Sequence, residues 1–179
     1  MRIIVLLSGG IDSAVVLGAL VENQECAAVA FDYGQPHRIE LNHARKIARH
    51  YKVPFQVVKI PKMPLVDDVI FAGRNLVFVS VGVAYAQAKK FDAVAIGCNR
   101  DDAERFPDCR EKFLCPLQAC AEAYGVALVA PLLDFTKREV VARARKGGVP
   151  LELTWSCYSG STVPCGHCMA CRLREEALR

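Results

Sequence analysis

The sequence predicts an α/β fold, an open five-stranded parallel sheet with helices on both faces and a small C-terminal cysteine-rich segment. Three observations predict it. Apolar runs of strand length alternate with stretches of helical period, the rhythm of βαβ units. The hydrophobic fraction is 53%, mostly Val, Ala, Leu and Ile, as strands covered on both faces require. From Pro150 the composition turns to Trp, Cys, Ser, Gly and Pro. At 179 residues the chain can hold one full core, expected over 1–150, with 151–179 packed on it as a metal-binding tail.

The first strand is Arg2–Leu7, apolar throughout after Arg2, and its helix runs from Ser13 to about Asn23. The second strand, Ala27–Tyr33, leads to a helix over Arg38–His50 with Leu41, Ala44, Ile47 and Ala48 at helical spacing. Pro54 introduces the third strand, Phe55–Ile60. Pro61–Gly73, with two prolines and no period, is expected to be a loop. A Val- and Ala-rich helix follows over Arg74–Lys89, then a fourth strand at Ala93–Gly97 and a loop over Cys98–Asp108. A helix at Arg110–Tyr124, a strand at Val126–Val129 and a helix at Lys137–Lys146 complete the core, with Gly147-Gly148 as the left-handed stop. The basic residues Lys137, Arg138, Arg143, Arg145 and Lys146 are expected to form a solvated face.

Ligands of such sheets bind beyond the carboxyl ends of the strands, so the segments after the strands carry the candidate site. After the first strand stands Ser8-Gly9-Gly10-Ile11-Asp12-Ser13. Strand, Gly-rich turn and helix is the context in which main-chain amides and a helix N-terminus bind an anion. Glycine brings the backbone close to a ligand, the serines add hydroxyls, and Asp12 adds a carboxylate able to hold Mg²⁺ beside a phosphate. The alternative is a tight turn closed by a Ser or Asp helix cap. The hexapeptide is neither a Walker A loop nor a dinucleotide fingerprint. It resembles the PP-loop of ATP pyrophosphatases, which adenylate a substrate and release pyrophosphate.

Cys157, Cys165, Cys168 and Cys171 have the spacing Cys-x7-Cys-x2-Cys-x2-Cys. Four thiolates at turn-forming separations suit tetrahedral Zn²⁺ in a closed structural site, with an iron–sulfur cluster as the competing occupant. His167 is expected beside the metal without touching it. Cys26, Cys98, Cys109, Cys115 and Cys120 lack ligand spacing, and each is expected as a small buried residue; Cys98 and Cys109 flank a candidate site loop.

Several segments carry a closer resemblance: Leu7–Leu17, Asp32-Tyr33-Gly34-Gln35-Pro36-His37 with Glu40-Leu41, Gly73-Arg74-Asn75-Leu76, Phe106-Pro107-Asp108-Cys109-Arg110, Pro131-Leu132, Thr154-Trp155-Ser156-Cys157-Tyr158 and the cysteine tail. In this order they are similar to the QueC family of PP-loop enzymes. The resemblance implies a HUP-type, Rossmann-like fold and a carbon–nitrogen ligase of queuosine or related deazapurine biosynthesis. It would convert 7-carboxy-7-deazaguanine and ammonia to the nitrile, adenylating first the carboxylate and then the amide. It implies ATP with Mg²⁺, bound Zn²⁺ and a homodimer. ATP would be held by Leu7, Ser8, Gly9, Gly10, Ile11, Asp12, Ser13, Ala14, Val15, Val16 and Leu17. Asp12, Ser13, Arg74, Asp108 and Arg110 would be the catalytic residues, Asp12 on a metal or metal-bound water, Ser13 on the phosphates, Arg110 through its fork on the carboxylate and Asp108 on the deazaguanine edge. Arg74 and Asn75 would hold substrate or phosphate, or brace their helix; His37 and Glu40 would orient each other, or Glu40 would cap.

Two departures from the family pattern stand out. The segment before Gly73 is short with Ala72 in place of proline, and Pro36 stands where a basic residue is common. The rivals are a relative that stops at the amide or acts on another deazapurine, a PP-loop enzyme that modifies tRNA, and a non-catalytic nucleotide-binding or zinc-scaffold module, against which the polar residues after several strands argue. A net charge of +4 is too mild to argue for a nucleic-acid partner. No membrane span or leader is read, and a cytoplasmic protein is expected.

Overall fold

The computed structural model describes residues 1–65 and 70–179. Five strands, β1 (Arg2–Leu6), β2 (Glu25–Asp32), β3 (Phe55–Lys59), β4 (Ala93–Ala95) and β5 (Ala127–Val129), form one sheet in the order β3-β2-β1-β4-β5. Every pair is parallel. The helices are α1 (Ile11–Val21), α2 (Glu40–His50), α3 (Arg74–Lys89), α4 (Arg100–Arg105), α5 (Glu111–Glu122), α6 (Lys137–Lys146) and α7 (Met169–Leu178).

The alternation of strand side chains divides the core into two layers. Ile3 and Val5 point to the face packed by α1, α2 and α6, with Val16, Ile47 and Val140 buried there. Ile4 and Leu6 point to the other, where α3 and α5 contribute Val79, Val83, Leu114 and Leu117. The predicted doubly covered sheet is thus the observed one. Strand order reverses between β1 and β4, and their following loops part there to open a cleft.

Two elements differ from the sequence reading. Within the expected loop at 98–108, α4 forms a short helix, with Asn99 as its cap accepting from the Asp102 amide at 2.9 Å. A 3-10 turn at Pro107–Cys109 follows. A helix of 6 residues with none buried leaves no apolar period in the sequence. In the tail, α7 runs ten residues and buries Cys171 and Ala177. The expected loop at 61–73 lies partly outside the described residues; its flanks carry an isolated bridge at Ile70 and a turn at Ala72 and Gly73.

Candidate active site

The Gly-rich turn sits at the head of the cleft. Gly10 is the N-cap of α1, and no side chain caps the helix, so the capping alternative falls and the first-turn amides remain open to an anion. Ser13 Oγ lies 3.1 Å from Ser8 Oγ and donates to the Gly10 carbonyl at 3.2 Å, which ties the turn to itself. Gly9 has φ +91°, and a Cβ on it would stand 2.4 Å from the Glu40 carbonyl oxygen. Gly97 admits the loop after β4 equally closely: a Cβ there would stand 2.9 Å from the Ser13 amide. The Trp155 amide donates to the Gly9 carbonyl at 2.8 Å, fixing the turn from the tail.

Asp12 projects into the cleft and is held from both sides. Asn99 Nδ2 donates to its Oδ1 at 3.0 Å, and Lys137 Nζ forms an ion pair with its Oδ2. The same Asn99 amide nitrogen donates to Asp102 Oδ2 at 2.7 Å. Burial, then the charge of Asp12, pushes the Asp102 carboxyl up to about 6. Two hard carboxylates and one ammonium at the mouth of an open helix N-terminus are a donor set for a triphosphate and its divalent cation.

Lys137, Asn99 and Asp102 were not singled out by sequence reasoning. Lys137 was grouped with the solvated basic residues of its helix. It is the first residue of α6, after the Thr136–Glu139 capping box, and that place turns it inward while Arg138, Arg143, Arg145 and Lys146 stay exposed. Its position directly after a post-strand segment was the available signal.

Across the cleft stand Tyr33, His37, Glu40, Arg74 and Tyr158. Burial opposes charge on Arg74, but Tyr33, Tyr158, Asp108 and Glu40 keep it cationic. Asp12, Ser13 and Arg74 therefore meet at one cleft. Asp108 and Arg110 do not line it. Asp108 accepts from the Asn75 amide at 3.0 Å and serves the open head of α3. Arg110 Nε donates to the Ala103 carbonyl at 2.8 Å, bracing the end of α4. Asn75 Nδ2 reaches the Asp108 carbonyl and Cys109 Sγ. Contact with Cys109 and burial raise the Cys98 thiol well above its ordinary value, which makes it a poor nucleophile.

The four tail cysteines bring their sulfurs within 4.8 Å of one another, compatible with the S–S edges of about 3.8 Å of a tetrahedron with metal–sulfur bonds of about 2.3 Å. Cys157 Sγ accepts from the amides of Ser159 at 3.4 Å and Cys165 at 3.3 Å. Burial opposes its ionisation, but these donors and the Ser159 hydroxyl outweigh it and hold the thiol at about 6. Hydrogen bonds outweigh burial at Cys168 too, whereas burial pushes the Cys171 thiol up to about 12; four sulfurs gathered this closely are a donor set for a metal ion. His167 stays exposed, bonded to the Cys165 carbonyl and outside the group. Cys26, Cys98 and Cys109 are buried as expected, whereas Cys115 and Cys120 are exposed, because the inward stripe of α5 is Leu114, Leu117 and Ala121.

The profile of the family "Queuosine biosynthesis protein QueC" matches residues 2–69 and 63–179. A 7-cyano-7-deazaguanine synthase of Methanothermobacter thermautotrophicus is 37% identical over 208 positions, covering 99% of this chain and 94% of the relative. One from Prochlorococcus marinus is 34% identical over 207 positions, covering 98% and 92%. These alignments exceed the chain's 179 residues, so the relatives carry insertions, and the two matched segments meet before α3, at the segment that the sequence shows as short. Among solved structures, the NMN synthetase of Francisella tularensis has TM-score 0.61 at 18% identity, covering 98% of this chain and 74% of that one. The U34-tRNA thiolase NcsA of Methanococcus maripaludis, solved with its [4Fe-4S] cluster, has TM-score 0.58 at 19% identity; the match covers 99% of this chain and 64% of that one. These two likenesses carry the fold.

Proposed function

This chain belongs to the QueC family, and from that premise we propose how its cleft carries out ATP-dependent nitrile formation on 7-carboxy-7-deazaguanine. The observation that carries the reading is an uncapped PP-loop with Asp12 set between Lys137 and Asn99, facing the cationic Arg74 across one cleft.

The open amides at the start of α1 and the Lys137 ammonium receive the β- and γ-phosphates and the pyrophosphate they become. Asp12 and Asp102 are the residues that would hold Mg²⁺, which when bound neutralises phosphate charge. The substrate carboxylate attacks the α-phosphorus and expels pyrophosphate, giving an acyl adenylate. Ammonia displaces AMP to form the amide. The amide oxygen then attacks the α-phosphorus of a second ATP and expels a second pyrophosphate, and loss of AMP with the two N–H protons leaves the nitrile. No protein nucleophile is consumed, so positioning and charge stabilisation carry the rate.

In the tail, Cys157, Cys165, Cys168 and Cys171 would hold Zn²⁺ as a structural ion. Among the described residues no helix is long and apolar enough to cross a membrane. Ammonia as nitrogen donor, a cytoplasmic location and a second copy of the chain as partner belong to the same proposal.

The test is incubation with 7-carboxy-7-deazaguanine, ammonium, ATP and Mg²⁺, followed by mass analysis. Nitrile with AMP and pyrophosphate is the expected result. Amide as the end product would reassign the chain to an amide-forming relative, and absence of both products would overturn the reading.

A further inference from the structure

The wall opposite the PP-loop contains a carboxyl group that the adenylation chemistry does not use. Glu40 opens α2, and its orientation is set by Gln35, whose side chain is only 1% exposed. Every polar atom of that amide is engaged. Its Oε1 accepts from the Tyr33 amide at 2.9 Å, and its Nε2 donates to the Phe31 carbonyl at 3.0 Å and to Glu40 Oε1 at 2.9 Å. His37 Nε2 stands 3.7 Å from the same Glu40 oxygen and 3.5 Å from the Tyr33 hydroxyl.

Glu40 Oε2 has no partner among the described residues, and Glu40 lines the cleft. His37 Nδ1 is buried with no partner among the described residues. Arg74 lines the same wall and forms no ion pair among the described residues. The protein has thus fixed one carboxylate oxygen and left the other free in a partly desolvated wall, where an unmatched acceptor is costly. Burial pushes the Glu40 carboxyl up to about 7, against the pull of Gln35 and Arg74.

We propose that Glu40 reads the N–H donor edge of the acceptor heterocycle, that Arg74 takes the oxygen acceptors of the same ligand, and that Gln35 is the positioning residue for Glu40. The assignment rests on the function proposed above and adds which side chains read the ring of its substrate. A carboxylate only accepts and a guanidinium only donates. Together they select a ring presenting adjacent N–H and N–H₂ donors beside an oxo group, a 2-amino-oxo heterocycle of guanine type. A ring lacking the exocyclic amine leaves Glu40 with one donor fewer, and an adenine-type edge sets a ring nitrogen acceptor against the carboxylate. Two donors from the ligand also supply the compensation that the buried carboxylate lacks, favouring its charged form.

The test compares kcat/KM for 7-carboxy-7-deazaguanine with that for the analogue lacking the 2-amino group, and measures calorimetric binding of both. The wild-type enzyme is expected to favour the 2-amino compound by about 10–100-fold, the range for one hydrogen bond to a charged group. In Glu40→Gln the ratio falls toward one, and Gln35→Leu lowers it in the same direction, a change that general loosening of the fold would not produce. Should Glu40→Gln fail to fold, Glu40→Asp, which withdraws the acceptor by one methylene, carries the same expectation. A ratio unaltered in a folded Glu40 variant overturns the proposal. If the wild-type enzyme turns over neither compound, the adenylation reading fails, and the binding ratios alone decide the subsite.

Discussion

Replacing Gly9 by alanine tests whether the turn is shaped by the fold before any nucleotide arrives. The added methyl meets the Glu40 carbonyl oxygen at 2.4 Å and the Ala44 amide at 3.0 Å. Both are main-chain atoms at the start of α2, and neither is a flexible side-chain end. The backbone at φ +91° costs an L-residue about 1–2 kcal/mol, and forced displacement in a packed site adds about 1–3 kcal/mol. A total near 3 kcal/mol, at about 2–4 °C per kcal/mol for a chain of this size, lowers Tm by roughly 5–15 °C. Gly10→Ala is the control. Gly10 has φ −78° and its new methyl would meet Ser8 Oγ at 3.4 Å and the Trp155 carbonyl at 3.8 Å, so its stability should change by less than about 1 kcal/mol. Circular-dichroism melting gives Tm, and calorimetric titration with ATP gives nucleotide affinity. A Gly9→Ala protein that melts with the wild type and binds ATP equally well would refute the reasoning.

Lys137→Met removes the only side-chain cation paired with Asp12 among the described residues and should lower kcat/KM for ATP by about 10²–10³-fold; unchanged kinetics would remove Lys137 from the phosphate site. Elemental analysis should find about one zinc per chain, and Cys171→Ser should lose it; metal-free protein with four intact thiols would overturn the cluster. His37 is held near 4 by burial first and by Arg74 second, against an ordinary 6.5. Its neutral form is therefore the one the fold favours. The stability it contributes is complete above pH 6.5 and is lost as pH falls through 4, amounting to roughly 3 kcal/mol. Urea denaturation across that window should show a flatter profile for His37→Gln, and a parallel profile would exclude His37 as the source.

The parts of this molecule legible in its sequence are those in which local chemistry has one outcome. The Ser-Gly-Gly turn, the four cysteines and the bounds of α3 and α6 are of that kind. Asp108 and Arg110 were the opposite case. Their types suit a substrate, yet one serves an amide at the head of α3 and the other the carbonyls ending α4. Backbone groups compete for charged side chains, and a sequence does not display which main-chain ends lie nearby. Lys137 escaped for a related reason, since five basic residues in one helix look alike until a capping box sets the direction of the first. Asn99 and Asp102 belong to a helix too short to carry a period, so its cap and its site residue passed as loop.

The bond from the Trp155 amide to the Gly9 carbonyl has a thermodynamic corollary. That carbonyl and the Gly10 amide belong to one rigid trans peptide, so holding its oxygen on the tail side orients its N–H the other way. That N–H donates to Ser8 Oγ at 3.3 Å, so stiffening the tail fixes the peptide plane and the Ser8 hydroxyl beside the nucleotide together, and a nucleotide that fixes them steadies the tail. Coupling of this kind is reciprocal: the factor by which bound metal tightens ATP is the factor by which ATP tightens metal. Saturating nucleotide should therefore slow the loss of the ion to a chelator, making the cysteine cluster a tensioning device for a loop that begins more than a hundred residues earlier.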